Sequence, residues 1–307
     1  MSWTLDGVAA ADLAASGLAV ALDTSVRAAL LLGAAGVFSL LARRAPARWR
    51  HGLWLSAFAG LAALPVLAVA DVGPAALART GGAWELGLAA VWIAGVAVLS
   101  IRHAVACRRL RAHLADATPG PRVLEARVLI GGALSSPVTF GIRPVVLLPA
   151  DFMSWPATSQ RQVLLHEGAH VARRDWLTQR AATVLCHLFW FHPIVWIARR
   201  LLVLEAERAA DEAVLRAGER PSDYAQLLLD RSSVHSPVPA LAAPRWLELR
   251  IRSLLGPDPG SRWPAAVGVA LLLLLTPALS AVQAAPDPPA PHCQPAEVAT
   301  ADTPGSP

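Results

Sequence analysis

The chain has 307 residues, 55% of them hydrophobic and 16% charged, with a mean hydropathy of +0.46. A soluble domain carries about 25% charged residues, so this deficit argues against a soluble two-domain enzyme. The formal net charge is +5 and all 27 basic residues are arginine. Without lysine, no Ser-x-x-Lys acyl-enzyme site, Walker-A lysine or Schiff-base lysine can exist on this sequence.

A bilayer crossing takes about 20 apolar residues. In chain order the apolar runs predict four crossings, at about residues 22–42, 52–70, 82–101 and 264–285. The first has to start near Leu22 and so carries Arg27, expected to snorkel at its outer end. The second contains Pro65, which a span tolerates when neighbouring groups satisfy the backbone. The third reaches back past Glu85 to Gly82, and the fourth includes the run Leu271–Leu275. The first residues lack a basic stretch, so no cleaved signal peptide is expected.

Arginine placement sets the orientation. Arg43, Arg44, Arg48 and Arg50 follow the first span, Arg102, Arg108, Arg109 and Arg111 follow the third, and Arg245, Arg250, Arg252 and Arg262 precede the fourth. Only Arg79 lies between the second and third spans. The positive-inside rule then puts residues 102–263 in the cytoplasm and both chain ends outside. The expected organisation is three N-terminal transmembrane helices over 1–101, a cytoplasmic domain over 102–263, a fourth helix over 264–285 and a disordered external tail over 286–307. The tail is rich in Pro and small residues, too poor in apolar bulk for a core.

Within the cytoplasmic segment, Arg122–Ile130 and Pro144–Pro149 read as short strands. Between them lies SSPVTFG, Ser135–Gly141, with turn residues at both ends. The period then changes to that of a helix with Thr158 or Ser159 as N-cap, followed by helices from Trp176 to about Phe191 and from Ile194 through Arg216. A small α+β domain results. The apolar stretch Ala181–Ala198, broken at Phe191-His192-Pro193, reads as a helical hairpin whose tip touches or dips into the inner leaflet, with Trp190 and Trp196 as anchors. A buried helix pair of a soluble-type domain has almost the same pattern.

His166-Glu167-Gly168-Ala169-His170 is an H-E-x-x-H motif on the first of these helices. Its i, i+4 spacing puts both imidazoles on one face, where they can share a Zn2+ ion. Glu167 lies beside that face, able to take a proton from the attacking water. A hydrolytic zinc site needs a third protein ligand. Within LEAERAADEAVL, Glu207 and Asp211 are four apart and share a face, so Glu207 is expected to ligate and Asp211 to hold a ligand imidazole. Glu205 is the competing ligand, and a solvated acidic helix face is the bland alternative. Thr139, Phe140, Gly141, Val145 and Val146 are candidates for holding an extended peptide by strand addition. Arg143 is a candidate oxyanion donor. His103 and Cys107 are read as interfacial packing, and His187 and His192 as shaping the hairpin. No recognition-helix pattern appears, so direct nucleic-acid binding is not expected, and the membrane-proximal arginines are assigned to the lipid bilayer.

HEGAHVARRDW, FWFHPIVWIARR, LEAERAADEAVL and SSPVTFGIRPVVLLP resemble the BlaR/MecR family of membrane-embedded zinc metallopeptidases over roughly residues 20–285. The resemblance implies a multi-pass α-helical membrane protein with four transmembrane helices and a small α+β gluzincin-like zinc metallopeptidase domain between helices three and four, in the bacterial cytoplasmic membrane. It implies a signal transducer that cleaves itself and promotes loss of a winged-helix repressor. By motif, His166, His170 and Glu207 match the zinc ligands, Glu167 the catalytic glutamate, and Arg173 and Asp175 an extension of the motif expected to form an ion pair. The sensing members carry an external penicillin-binding domain after the fourth helix. Only the Pro-rich tail stands there in this sequence, so the chain is expected to lack that sensor.

Three functions stay open at this point: a signalling peptidase with few substrates, an HtpX/Ste24-like quality-control metalloprotease, and a non-catalytic scaffold with a structural metal. The 36 residues between His170 and Glu207 favour the first, because the quality-control type usually has a longer separation. Self-association into a homodimer is compatible with all three.

Overall fold

The computed structural model describes residues 5–72, 83–112, 114, 116–121, 125–131, 136–232 and 243–256. The predicted fourth span and the tail, with Cys293, lie outside the described residues, as does most of the segment linking the second and third spans. Three long helices come first: α1 (Leu5–Leu41), α2 (Ala47–Val72) and α3 (Ala83–Ala112). Two of them contain stretches long and apolar enough to cross a membrane, Ala21–Leu41 and Leu86–Ala112. Between α1 and α2 the chain turns at Ala42–Pro46. Arg27 does not snorkel. It is buried and ion-paired with Asp23 one turn earlier, at 2.6 Å.

After α3 comes a four-stranded sheet of β1 (Thr118–Pro119), β2 (Arg127–Ile130), β3 (Val138–Phe140) and β4 (Val145–Leu148), in the spatial order β1-β2-β4-β3. β2 and β4 run parallel, with Arg127 opposite Val145 and Ile130 opposite Leu148. β3 and β4 form an antiparallel hairpin with Thr139 opposite Val146. Gly141 opens its turn at φ +96°, and a Cβ there would meet the Arg143 carbonyl oxygen at 2.8 Å, so glycine is required. The expected strands are thus shorter than drawn, and SSPVTFG supplies an additional one. β4 is central and paired on both sides. Val145 and Val146 therefore offer no free edge for strand addition, whereas β3 is an edge strand among the described residues.

Five helices follow: α4 (Ala157–Arg173), α5 (Asp175–Leu188), α6 (Pro193–Arg216), α7 (Pro221–Ser232) and α8 (Ala243–Leu254). Neither Thr158 nor Ser159 caps α4. Pro156 takes the N-cap position, and no side chain bonds the helix start. One face of the sheet (Val128, Val146, Leu148) packs with Val163 of α4, Val214 of α6, Tyr224 of α7 and Leu254 of α8. The other face, with Leu129, Phe140 and Leu147, packs on Leu110 at the end of α3 and on Trp176.

α5 and α6 make the expected hairpin, turning at residues 189–192. Its apolar faces share one core with α1 and α2, including Leu31, Leu32, Trp54, Phe58, Leu61, Cys186, Val195 and Leu202. The tip lies against α3. Trp92 Nε1 donates to the Leu188 carbonyl at 2.9 Å, and a Cβ on Gly95 would fall 2.5 Å from the Trp190 indole. His192 Nε2 donates to the Ser25 carbonyl at 3.1 Å, and Ser100 Oγ lies 3.3 Å from His187 Nδ1. Both histidines thus hold the hairpin to the long helices.

Candidate metal centre

α4 carries His166, Glu167 and His170, all buried, in its last two turns. The i, i+4 spacing stacks the two imidazoles on one face, with ring centroids 4.7 Å apart. Their Nε2 atoms are 3.1 Å from each other. α6 crosses this face and brings Glu207 to them: Oε2 is 3.4 Å from His166 Nε2 and Oε1 is 3.6 Å from His170 Nε2. One atom from each of the three residues can be chosen so that all lie within 4.8 Å of one another.

These separations fit a metal ion. Tetrahedral bonds of about 2.0–2.2 Å put ligand atoms roughly 3.3–3.6 Å apart. The tautomers set by the outer ring nitrogens also fit. His170 Nδ1 faces Asp175 Oδ2 at 2.7 Å. His166 Nδ1 faces the Tyr224 hydroxyl at 2.9 Å and Asp211 Oδ1 at 3.2 Å. With Nδ1–H directed to these acceptors, both Nε2 lone pairs point into the same space, an arrangement that calls for a cation.

Asp175 reaches His170 because the chain breaks between α4 and α5. Arg174 alone joins them, in the left-handed conformation at φ 55°. The expected ion pair exists: Arg173 Nε donates to Asp175 Oδ1 at 3.2 Å, and Nη2 donates to Asp175 Oδ2. The same Nη2 donates to the Ala206 carbonyl at 2.9 Å, fastening the end of α4 to the turn of α6 that carries Glu207. Glu205, the competing ligand, points elsewhere. It is buried and bonded to Arg50 and Arg208, each at 2.8 Å.

Two residues outside the sequence reading belong to this centre. Tyr224, the only tyrosine of the chain, donates to Asp211 Oδ1 at 2.9 Å while its oxygen faces His166. Arg250 of α8 grips Asp211 with Nε and Nη2, at 2.8 and 2.6 Å, and lies 3.1 Å from Glu207 Oε2 with Nη1. Burial opposes a charge on every one of these groups, yet the charges sustain each other. Burial alone would lower His166, but the hydrogen bonds its ring donates to the Asp211 and Glu207 carboxylates outweigh it and push the imidazole up to about 9. Burial would raise Glu207 and Asp211, but Arg250 and His166 hold both carboxyls well below the usual range.

Glu167 faces the sheet. Thr139 Oγ1 donates to its Oε2 at 2.6 Å, which sets the edge strand β3 beside the Glu167 carboxylate. Phe140 and Val145 lie on the opposite face, in the core against α3. Arg143 is exposed in the β3–β4 turn, with no contact to the centre among the described residues. His103 and Cys107, 3.5 Å apart on α3, both meet Arg180, and the His103 ring also packs edge-on against His187, with centroids 5.7 Å apart.

A model of the BlaR1 peptidase M56 family matches residues 74–253, more than half of the chain and all of the cluster. The chain belongs to this family. M56 members are metal-dependent peptidases, and among the described residues the His-His-Glu cluster could hold such a metal. The chain is also similar to the regulatory protein BlaR1 of Bacillus licheniformis, 34% identical over 113 residues. That match covers 36% of this chain and 19% of the relative, so it spans about a fifth of the relative's length.

Proposed function

We propose that the chain is a zinc metalloendopeptidase of the bacterial cytoplasmic membrane that cleaves itself and/or a cytosolic transcriptional repressor in transmembrane signalling. The observation that carries this reading is the convergence of His166, His170 and Glu207 within one ion's reach, with Glu167 at its side. A structural site has no need of that glutamate, which speaks against the scaffold reading.

In this reading His166, His170 and Glu207 hold the ion, while Asp175 and the Asp211–Tyr224 pair keep the imidazoles turned towards it. Bound zinc supplies Lewis-acid polarisation of the scissile carbonyl and acidifies the attacking water. Glu167 takes the proton of that water and returns it to the leaving amine. Thr139 restrains the Glu167 carboxylate for that exchange. An extended peptide adds to the free edge of β3, one strand away from Glu167.

Membrane placement completes the proposal. α1, α2 and α3 supply three of four crossings, residues 264–285 the fourth, and the metal centre faces the cytoplasm. The α5–α6 tip meets α3 at Trp92 and Gly95. These positions lie about 9–14 Å along the helix from Ile101, at 1.5 Å per residue, so the hairpin dips into the inner leaflet.

The test is co-expression with the product of any adjacent reading frame encoding a small winged-helix repressor. Glu167→Ala should keep the zinc content of the wild type and abolish cleavage of that repressor and of the chain itself. If wild type and variant leave every candidate equally intact while both hold zinc, the scaffold reading replaces this one. Accumulation of many membrane proteins in the variant, rather than one or two, would instead favour the quality-control type.

A further inference from the structure

The start of α2 reaches α6, the helix that carries Glu207, and Asp175 at the start of α5. Of the four arginines around the α1–α2 turn, Arg43, Arg44 and Arg48 are exposed, as topology-setting charges should be. Arg50 is only 7% exposed. Its Nε donates to Glu205 Oε2 at 2.8 Å, and its Nη1 donates to the carbonyls of Arg43, at 3.1 Å, and Ala45. Glu205 stands two residues before Glu207 on α6 and is held on its other oxygen by Arg208. One residue past Asp211 on the same helix, Glu212 accepts from the backbone N–H of Ala47. The neighbouring His51 is buried, with Nε2 4.0 Å from Asp175 Oδ1, the carboxylate that orients His170. At the far end of the hairpin, His192 is fastened to Ser25 of α1.

We propose that the α1–α2 hairpin is the regulatory input of the metal centre, with Arg50 and His51 as positioning residues. This rests on the zinc-peptidase reading and adds the route by which the membrane helices control it. Arg50 fixes the height of Glu207, through Glu205, against α4. His51 packs beside the carboxylate that turns His170, without a hydrogen bond to it. The two residues are consecutive, so a displacement of the start of α2 moves the support of a carboxylate ligand and the surroundings of an imidazole ligand together. Losing either charge of the buried Arg50–Glu205 pair strands the other, so that contact is costly to break.

The experiment uses the full chain in lipid nanodiscs and reads two quantities separately: zinc affinity by competition with a chromophoric chelator, and cleavage of casein. Arg50→Gln and Glu205→Gln should each weaken zinc binding roughly 10–100-fold, the range for losing an outer support of a ligand. The double reversal Arg50→Glu/Glu205→Arg should recover at least tenfold of that loss, which a general loss of packing would not do. His51→Gln should shift zinc affinity in the same direction. Arg161→Gln, which removes an exposed pair with Glu219, should leave affinity unchanged. If Arg50→Gln does not fold, Glu205→Gln, the reversal and His51→Gln decide. Zinc affinities within twofold of wild type in these variants overturn the proposal and leave the peptidase reading intact. A wild type that binds zinc tightly but cleaves nothing overturns the peptidase reading alone, while uptake of no zinc at all overturns both.

Discussion

In the proposed metal centre, His166 is where a proton and a metal ion would compete. Its outer nitrogen is fixed by Tyr224 and Asp211, and its inner nitrogen faces His170 and Glu207. In protein stripped of metal, that environment holds the imidazolium up to about 9, against about 6.5 in an unfolded chain. A raised folded value stabilises the fold fully below about pH 6.5, and the contribution is lost as the pH rises through about 9. Zinc must displace the same proton. Apparent zinc affinity should therefore climb roughly tenfold per pH unit between 7 and 9 and level off above, as measured by chelator competition. An affinity flat across that window would mean that His166 does not compete for the ion. The histidines and Glu167 are legible in the sequence because they share one helix and its period. Glu207 is separable from Glu205 only because its i+4 partner Asp211 is also acidic. Arg250 and Tyr224 are not legible: they arrive from two other helices, and an arginine close to a membrane reads first as a topology signal.

At the scale of elements, the break at Arg174 does more than end a helix. In an unbroken helix, a residue five positions on would point about 140° away from His170, at 100° per residue. The single left-handed residue folds α5 back so that Asp175 meets His170. A non-glycine residue in that conformation costs roughly 1–2 kcal/mol. Arg174→Gly should therefore raise stability, by about 0.5–1 kcal/mol after glycine's greater unfolded entropy is counted, in denaturant titration of the intact chain. A drop in stability would show that the Arg174 side chain contributes contacts of its own. Helix periods make α4 to α6 readable within a few residues. β3 is not readable as a strand because Val138–Phe140 is three residues long and has no alternation to display. The N-cap of α4 is missed for a related reason: Thr158 and Ser159 are the usual capping types, but Pro156 fixes the entry two to three residues earlier.

Across the whole molecule, the boundary drawn at residue 101 does not coincide with a boundary in packing. Trp54, Phe58 and Leu61 of α2 share a core with Cys186, Val195 and Leu202 of the hairpin. Composition cannot reveal this, because an apolar face turned to lipid and one turned to protein have the same residues. A chain cut to residues 102–263 should accordingly fail to fold: it should be insoluble without detergent and retain less than a tenth of the zinc of the full chain. Recovery of a soluble fragment with full zinc would show that the shared core is not needed for folding. The long third helix has its own bearing on this. Leu86, Val91, Ile93, Val98 and Ile101 are all bare, whereas Leu110 of the same helix supports the underside of the sheet. At 1.5 Å per residue, Leu86–Ala112 is about 40 Å long, and its part from Arg102 onward carries four arginines. In the proposed topology the apolar part ending at Ile101 matches a hydrocarbon layer of roughly 30 Å, and the rigid remainder passes any tilt of the helix to the underside of the sheet, so acyl-chain length in reconstituted vesicles becomes a variable of the proposed chemistry.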